Sequence, residues 1–167
     1  MTPVEQIEII NRYRKNAPVD VHGIASSLGI RIHEAFLPEN VSGIIERIKD
    51  GNFVITINTF DSKTRKRFTL AHELGHFMLH RSMIGDGIED DRAYRSTTSG
   101  KYRNNLIGPR EESQANAFAA NVIMPHELIQ RLKVEGYTTP EQLADKLQVS
   151  VHAMSIRLGV PYTVSAI

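Results

Sequence analysis

The segment Phe68 to His80, FTLAHELGHFMLH, sets His72, Glu73 and His76 among apolar residues. Ionisable side chains are costly in an apolar setting unless they are paired or bind a metal. On a helix, residues four apart lie on one face with their Cβ atoms about 5–6 Å apart. His72 and His76 can therefore converge on one zinc ion, which takes nitrogen ligands at roughly 2.0–2.1 Å. Glu73 sits a further 100° or so round the helix, beside the metal but off the ligand line. From there it can take a proton from the attacking water and return it to a leaving amine.

A surface helix that happens to carry His and Glu is the competing reading. Phe68, Leu70, Ala71, Leu74, Phe77, Met78 and Leu79 argue against it, because they surround the helix with apolar groups and predict burial. Gly75 should cost about 1 kcal/mol relative to alanine inside a helix. Its presence predicts the close approach of another backbone.

Catalytic zinc usually has three protein ligands. His80 is rejected as the third, since it would stand about 12 Å from His72 along the helix axis. It reads instead as a polar helix end, where imidazolium suits the dipole. EESQANAFAANVIMP, Glu111 to Pro125, is the better source. Ala115, Phe118, Ala119, Val122 and Ile123 form an apolar stripe with Glu111 and Glu112 near its edge. Periodicity does not choose between the two. Both could equally be acidic residues favoured in a first helical turn.

These residues need elements to hold them. Thr2 to Asn16 reads as an amphipathic helix on Val4, Ile7, Ile10 and Tyr13, and a short helix runs from near Val19 to Gly29 with Pro18 or Asp20 as cap. Ile30 to Phe36 alternates as a strand. Ser42 to Ile48 and Asn52 to Asn58 flank Asp50-Gly51, a strong hairpin signal. A long helix follows from Asp61 to His80, capped by Asp61 or Ser62. Residues 81 to 109 show no sustained period, which suggests a lid or substrate loop, or disorder. Helix returns at Arg110 to Met124 and stops at Pro125, and three short helical patterns finish the chain. The predicted class is α+β, with a unit over 1–125 and a helical lobe over 126–167 packed on it.

At 167 residues, with 41% apolar and 23% charged, the chain suits one domain or a domain with a small lobe. Its net charge of +1 supplies no field to attract nucleic acid or anionic membrane. The absence of cysteine excludes disulfides, thiolate zinc sites and cysteine nucleophiles. No apolar run approaches the roughly 20 residues that span a bilayer. The opening MTPVEQIEIINRYRKN does not read as a signal peptide, so the expected setting is cytoplasmic. Asp86 with Glu89, Asp90 and Asp91 lacks the pattern of a calcium hand, and Ser99-Gly100-Lys101 lacks that of a phosphate loop.

RFTLAHELGHFMLH, the later ExxANAFAANVIMP and the closing LADKLQVSVHAMSIRL together resemble the ImmA/IrrE family of zinc metallopeptidases. So do VDVHGIASSLGI, SGII and FVITIN upstream, which extends the likeness over about Pro18 to Gly159. The resemblance implies a minimal zincin with a small antiparallel sheet, an HExxH helix and a helix-turn-helix-like lobe. It implies His72, His76 and Glu112 as metal ligands, Glu73 as general base, and zinc as the ion, although His/Glu ligands also admit manganese or iron. The implied substrate is a helix-turn-helix repressor encoded nearby, whose cleavage or removal switches on stress, phage or mobile-element genes. The family often has glutamate where Gln114 stands.

Several further expectations follow. Asn116, one turn after Glu112, could hold a ligating side chain in place. Tyr94, Tyr102, Arg95 or Arg103 could stabilise an oxyanion. The strand Phe53 to Asn58 could pair with an extended substrate, as edge strands do. Residues 139 to 159 have helix-turn-helix rhythm, which makes a DNA-binding regulator the rival reading. Charge opposes it, because from Tyr137 onward Lys146 and Arg157 are matched by Glu141 and Asp145, where a duplex binder carries a basic face. A second rival binds and sequesters a repressor without cutting it.

Overall fold

The computed structural model describes residues 1–85, 88–91 and 106–162. Among these the order is α1 (Pro3–Tyr13), α2 (Val21–Ser27), β1 (Arg31–Ala35), β2 (Val41–Arg47), β3 (Phe53–Asn58), α3 (Lys63–Leu79), a 3-10 turn at Arg81–Met83, β4 (Ile88–Asp91), α4 (Pro109–Ile123), α5 (His126–Val134), α6 (Pro140–Leu147) and α7 (Val151–Leu158). The class is α+β, as the sequence predicts. β4 is an addition. Its IEDD has little strand character of its own, so the strand owes its form to pairing with β2.

The strand order is β1-β3-β2-β4. The β2–β3 hairpin forms at Asp50-Gly51 as expected, with Gly51 at φ 84. The sheet is nevertheless mixed rather than wholly antiparallel, because β1 runs parallel to β3. β1 and β2 run in opposite directions with a slot between them, and β3 fills the slot, which makes it parallel to β1 and antiparallel to β2. Buried Asn58 at the end of β3 secures this arrangement. Its Nδ2 donates to Val41 O at 2.8 Å and to Leu37 O and Pro38 O at 3.2 and 3.3 Å, while its Oδ1 accepts from Phe60 N. The reading of Phe53 to Asn58 as an edge that pairs with substrate is thereby overturned: both its edges are occupied.

The α1 face also differs from expectation. Gln6, Ile9 and Ile10 are buried, whereas Val4 and Ile7 are 65% and 51% exposed. Ile9 and Ile10 join the common core, and Gln6 Oε1 on the same side accepts from Arg81 at 3.0 Å.

α3 begins at Ser62, whose hydroxyl accepts from Arg65 N, and every residue from Thr69 to Phe77 is buried. Two glycines let its neighbours close in. A Cβ on Gly43 of β2 would collide with the Thr69 methyl, and one on Gly75 would stand 3.0 and 3.1 Å from Cα and O of Ala115 in α4. The predicted close approach at Gly75 is therefore present. Those contacts are backbone and cannot swing aside, so Gly75→Val should destabilise the protein by about 1–3 kcal/mol through overpacking. At about 2–4 °C per kcal/mol, thermal melting would register this clearly. An unchanged midpoint would mean that α3 and α4 are not held at this spacing.

One hydrophobic cluster runs from Ile9 and Ile10 through Leu70 and Leu74 to Leu128, Ile129, Leu143 and Met154. Arg67 reinforces it by bonding to Val19 O, Leu147 O and Gln148 O, which ties α3 to the chain before α2 and to the α6–α7 turn. Among the described residues no helix is long and apolar enough to cross a membrane.

Candidate metal centre

The buried middle of α3 presents His72 and His76 one turn apart, and α4 crosses beside it through the Gly75–Ala115 contact. Pro109 starts α4 and sets which acidic residue faces α3. Glu111 is used locally, its carboxylate accepting from Gly108 N at 3.0 Å. The next residue, Glu112, reaches across to the histidines. The helix-capping explanation therefore applies to Glu111 and the inward-facing one to Glu112.

His72 Nε2 lies 3.0 Å from Glu112 Oε2, His76 Nε2 lies 3.2 Å from Glu112 Oε1, and the two Nε2 atoms are 3.0 Å apart. One donor atom from each residue falls in a cluster less than 4.8 Å across. Two ligands at 2.0–2.1 Å in a tetrahedral arrangement stand roughly 3.3–3.4 Å apart. The observed separations are close to that. The donor set of two imidazoles and one carboxylate suits zinc chemically, so the residues fit the ion that the sequence predicts.

The charges agree with this fit. Burial pushes His76 below its ordinary pKa, assisted by His72 and resisted by Glu112. Burial works upward on Glu112, but the two imidazoles it faces outweigh it and hold the carboxyl at about 2. The carboxylate thus stays ionised at neutral pH. A cation can replace the protons that would otherwise separate it from the imidazoles.

Glu73 is fully buried and lies on the sheet side of α3, where a Cβ at Gly43 would be 3.4 Å from its Oε1. It follows His72 in the chain and is not one of the three converging residues. Outside the group, His72 Nδ1 is 2.7 Å from Asn116 Oδ1, the contact expected of Asn116. His80 is the polar end of α3 that the sequence predicts, standing at its C-cap, but it is buried rather than turned to solvent. It is 4% exposed, with Nδ1 3.0 Å from His76 Nδ1 and Nε2 2.8 Å from Gln114 Oε1. The signal was available: His80 is four residues past His76, too far to share an ion with His72 but close enough to touch the outer edge of the His76 ring. Tyr94, Arg95, Tyr102 and Arg103, and most of the segment read as a lid, lie outside the described residues.

The pattern of the Peptidase_M78 family, the IrrE N-terminal-like domain, matches residues 25–159. The chain belongs to this family. As a Peptidase_M78 member it carries a metallopeptidase-like domain, in agreement with the resemblance read from its motifs. No curated protein matches it. Among solved structures, a Mycobacterium tuberculosis transcriptional regulator is similar, with a TM-score of 0.55 at 15% identity, over 87% of this chain and 41% of that one. That likeness is one of fold, and this chain spans well under half of the regulator's length.

Proposed function

We propose that the chain is a zinc-dependent endopeptidase that cleaves a DNA-binding helix-turn-helix repressor and so relieves repression of stress, phage or mobile-element genes. The observation that carries this reading is the convergence of His72, His76 and Glu112, with the buried Glu73 next to His72 in the chain. In it, the first two residues and Glu112 hold the ion, with manganese as a substitute, and residues 126–167 form a helical lobe on a peptidase unit over 1–125. When bound, the ion supplies Lewis acidity at the scissile carbonyl. Glu73 takes a proton from the attacking water as the water oxygen bonds to the carbonyl carbon. It then gives that proton to the amine nitrogen as the C–N bond breaks. Asn116 keeps the His72 ring turned inward.

A repressor as substrate is in keeping with the similar fold of a transcriptional regulator. Direct DNA binding by the α6–α7 pair is less well supported. Arg157 is spent on Met124 O and Asn121 Oδ1, and Lys146 sits 4.3 Å above the Tyr137 ring. The test is incubation of the repressor encoded beside this chain with zinc-loaded and with chelated protein. Two defined fragments should appear with zinc alone. An intact repressor held in a stable complex would favour sequestration, and equal cutting in both samples would sink the metallopeptidase reading.

A further inference from the structure

We propose that His80 and Gln114 are positioning residues for His76, forming a hydrogen-bond chain that keeps the His76 ring proton on Nδ1 and leaves Nε2 bare for a divalent cation. The proposal rests on the metal reading above and extends it to two residues that do not touch the ion.

The chain has a direction. Gln114 presents Oε1 to His80 Nε2 at 2.8 Å. A His76 that ligates through Nε2 carries its proton on Nδ1 and donates to His80 Nδ1, so His80 Nε2 carries the proton that Gln114 Oε1 accepts. A His80 ring with one proton then offers a lone pair at Nδ1, 3.0 Å from His76 Nδ1. His76 must donate there, and its own lone pair falls on Nε2, the atom that faces Glu112 at 3.2 Å. Reversing the chain would put a proton on His76 Nε2, in the place of the cation. A ligating imidazole generally depends on a partner at its outer nitrogen to set tautomer and ring orientation. His72 has such a partner in Asn116, and for His76 the buried His80 ring fills that role.

The position of Gln114 supports the assignment. It is exposed, yet it reaches back to a histidine that is 4% exposed. It also lies on α4, the helix that supplies Glu112 and Asn116. One helix thus carries a carboxylate for the ion and the outer partner of each imidazole chain. The Gly75–Ala115 contact sets all three at once.

The experiment is zinc affinity by chelator competition at fixed pH, together with ring-nitrogen NMR of the zinc-loaded protein. His80→Phe should weaken zinc binding about 10–100-fold. His80→Gln should stay near wild type, because its amide can accept from His76 and donate to Gln114. Gln114→Ala, at an exposed position, should weaken binding in the same direction without disturbing the fold. The NMR spectrum should show His80 protonated on Nε2 only. Wild-type affinity in His80→Phe and Gln114→Ala would overturn the proposal, as would His80→Gln binding as poorly as His80→Phe, or His80 protonated on Nδ1. If His76→Ala bound zinc as well as wild type, the metal reading itself would fall and this assignment with it.

Discussion

Replacing Glu73 by glutamine is expected to leave zinc bound and to lower peptide hydrolysis by about 10²–10⁴-fold, the range for loss of a general base. Two features separate Glu73 from the residues beside it. It is not among the three whose donor atoms converge, so its charge is not needed to hold the ion. It is also fully buried against Gly43 of β2, which leaves little room for another group to take its place. Glutamine has nearly the same shape, so the packing of Thr69 and Gly43 around it should survive. Metal content and kcat/KM on a repressor substrate are the paired measurements. Near wild-type cleavage would remove Glu73 from the chemistry. Loss of zinc alongside activity would mean that Glu73 supports the ligands instead.

Stripping the ion should abolish cleavage and lower thermal stability together. A ligand held only by the folded state stabilises it by about 2.7 kcal/mol at a hundredfold excess over its Kd. At about 2–4 °C per kcal/mol for a chain of this length, saturating zinc should raise the melting midpoint by several degrees. The site predicts a substantial response, since the ionised Glu112 stands 3.0 and 3.2 Å from the two imidazoles. His72→Ala should melt at the same temperature with or without zinc. A wild-type midpoint indifferent to both zinc and chelator would count against His72, His76 and Glu112 as ligands.

The parts of this architecture that a sequence displays are those fixed within a few residues. His72 and His76 share a face because the helix repeats, Ser62 caps α3, and Asp50-Gly51 closes the hairpin; each is local and each is present. Gly75 was informative because an unfavourable residue inside a helix needs a reason, and Ala115 supplies it. What the sequence does not display is non-local. Nothing within Phe53 to Asn58 says that β1 will lie along its other side, so the strand read as an edge when it is central. The buried face of α1 is set by the core that Ile9 and Ile10 join and by Arg81, 75 residues from Gln6, neither of which a local period reveals. Glu111 and Glu112 could not be separated until the start of α4 fixed the helix phase. His80 was visible as a residue, but its role depends on Gln114, which lies on another helix.

Gly75 also bears on what becomes of a damaged molecule. Glu112 comes from one helix and both imidazoles from the other, with the gap between them set by a side chain that is not there. Under the proposed reading, a copy that loosens at this seam loses its grip on the ion before its core comes apart. Misfolded or ageing molecules would therefore be disarmed rather than left as indiscriminate proteases.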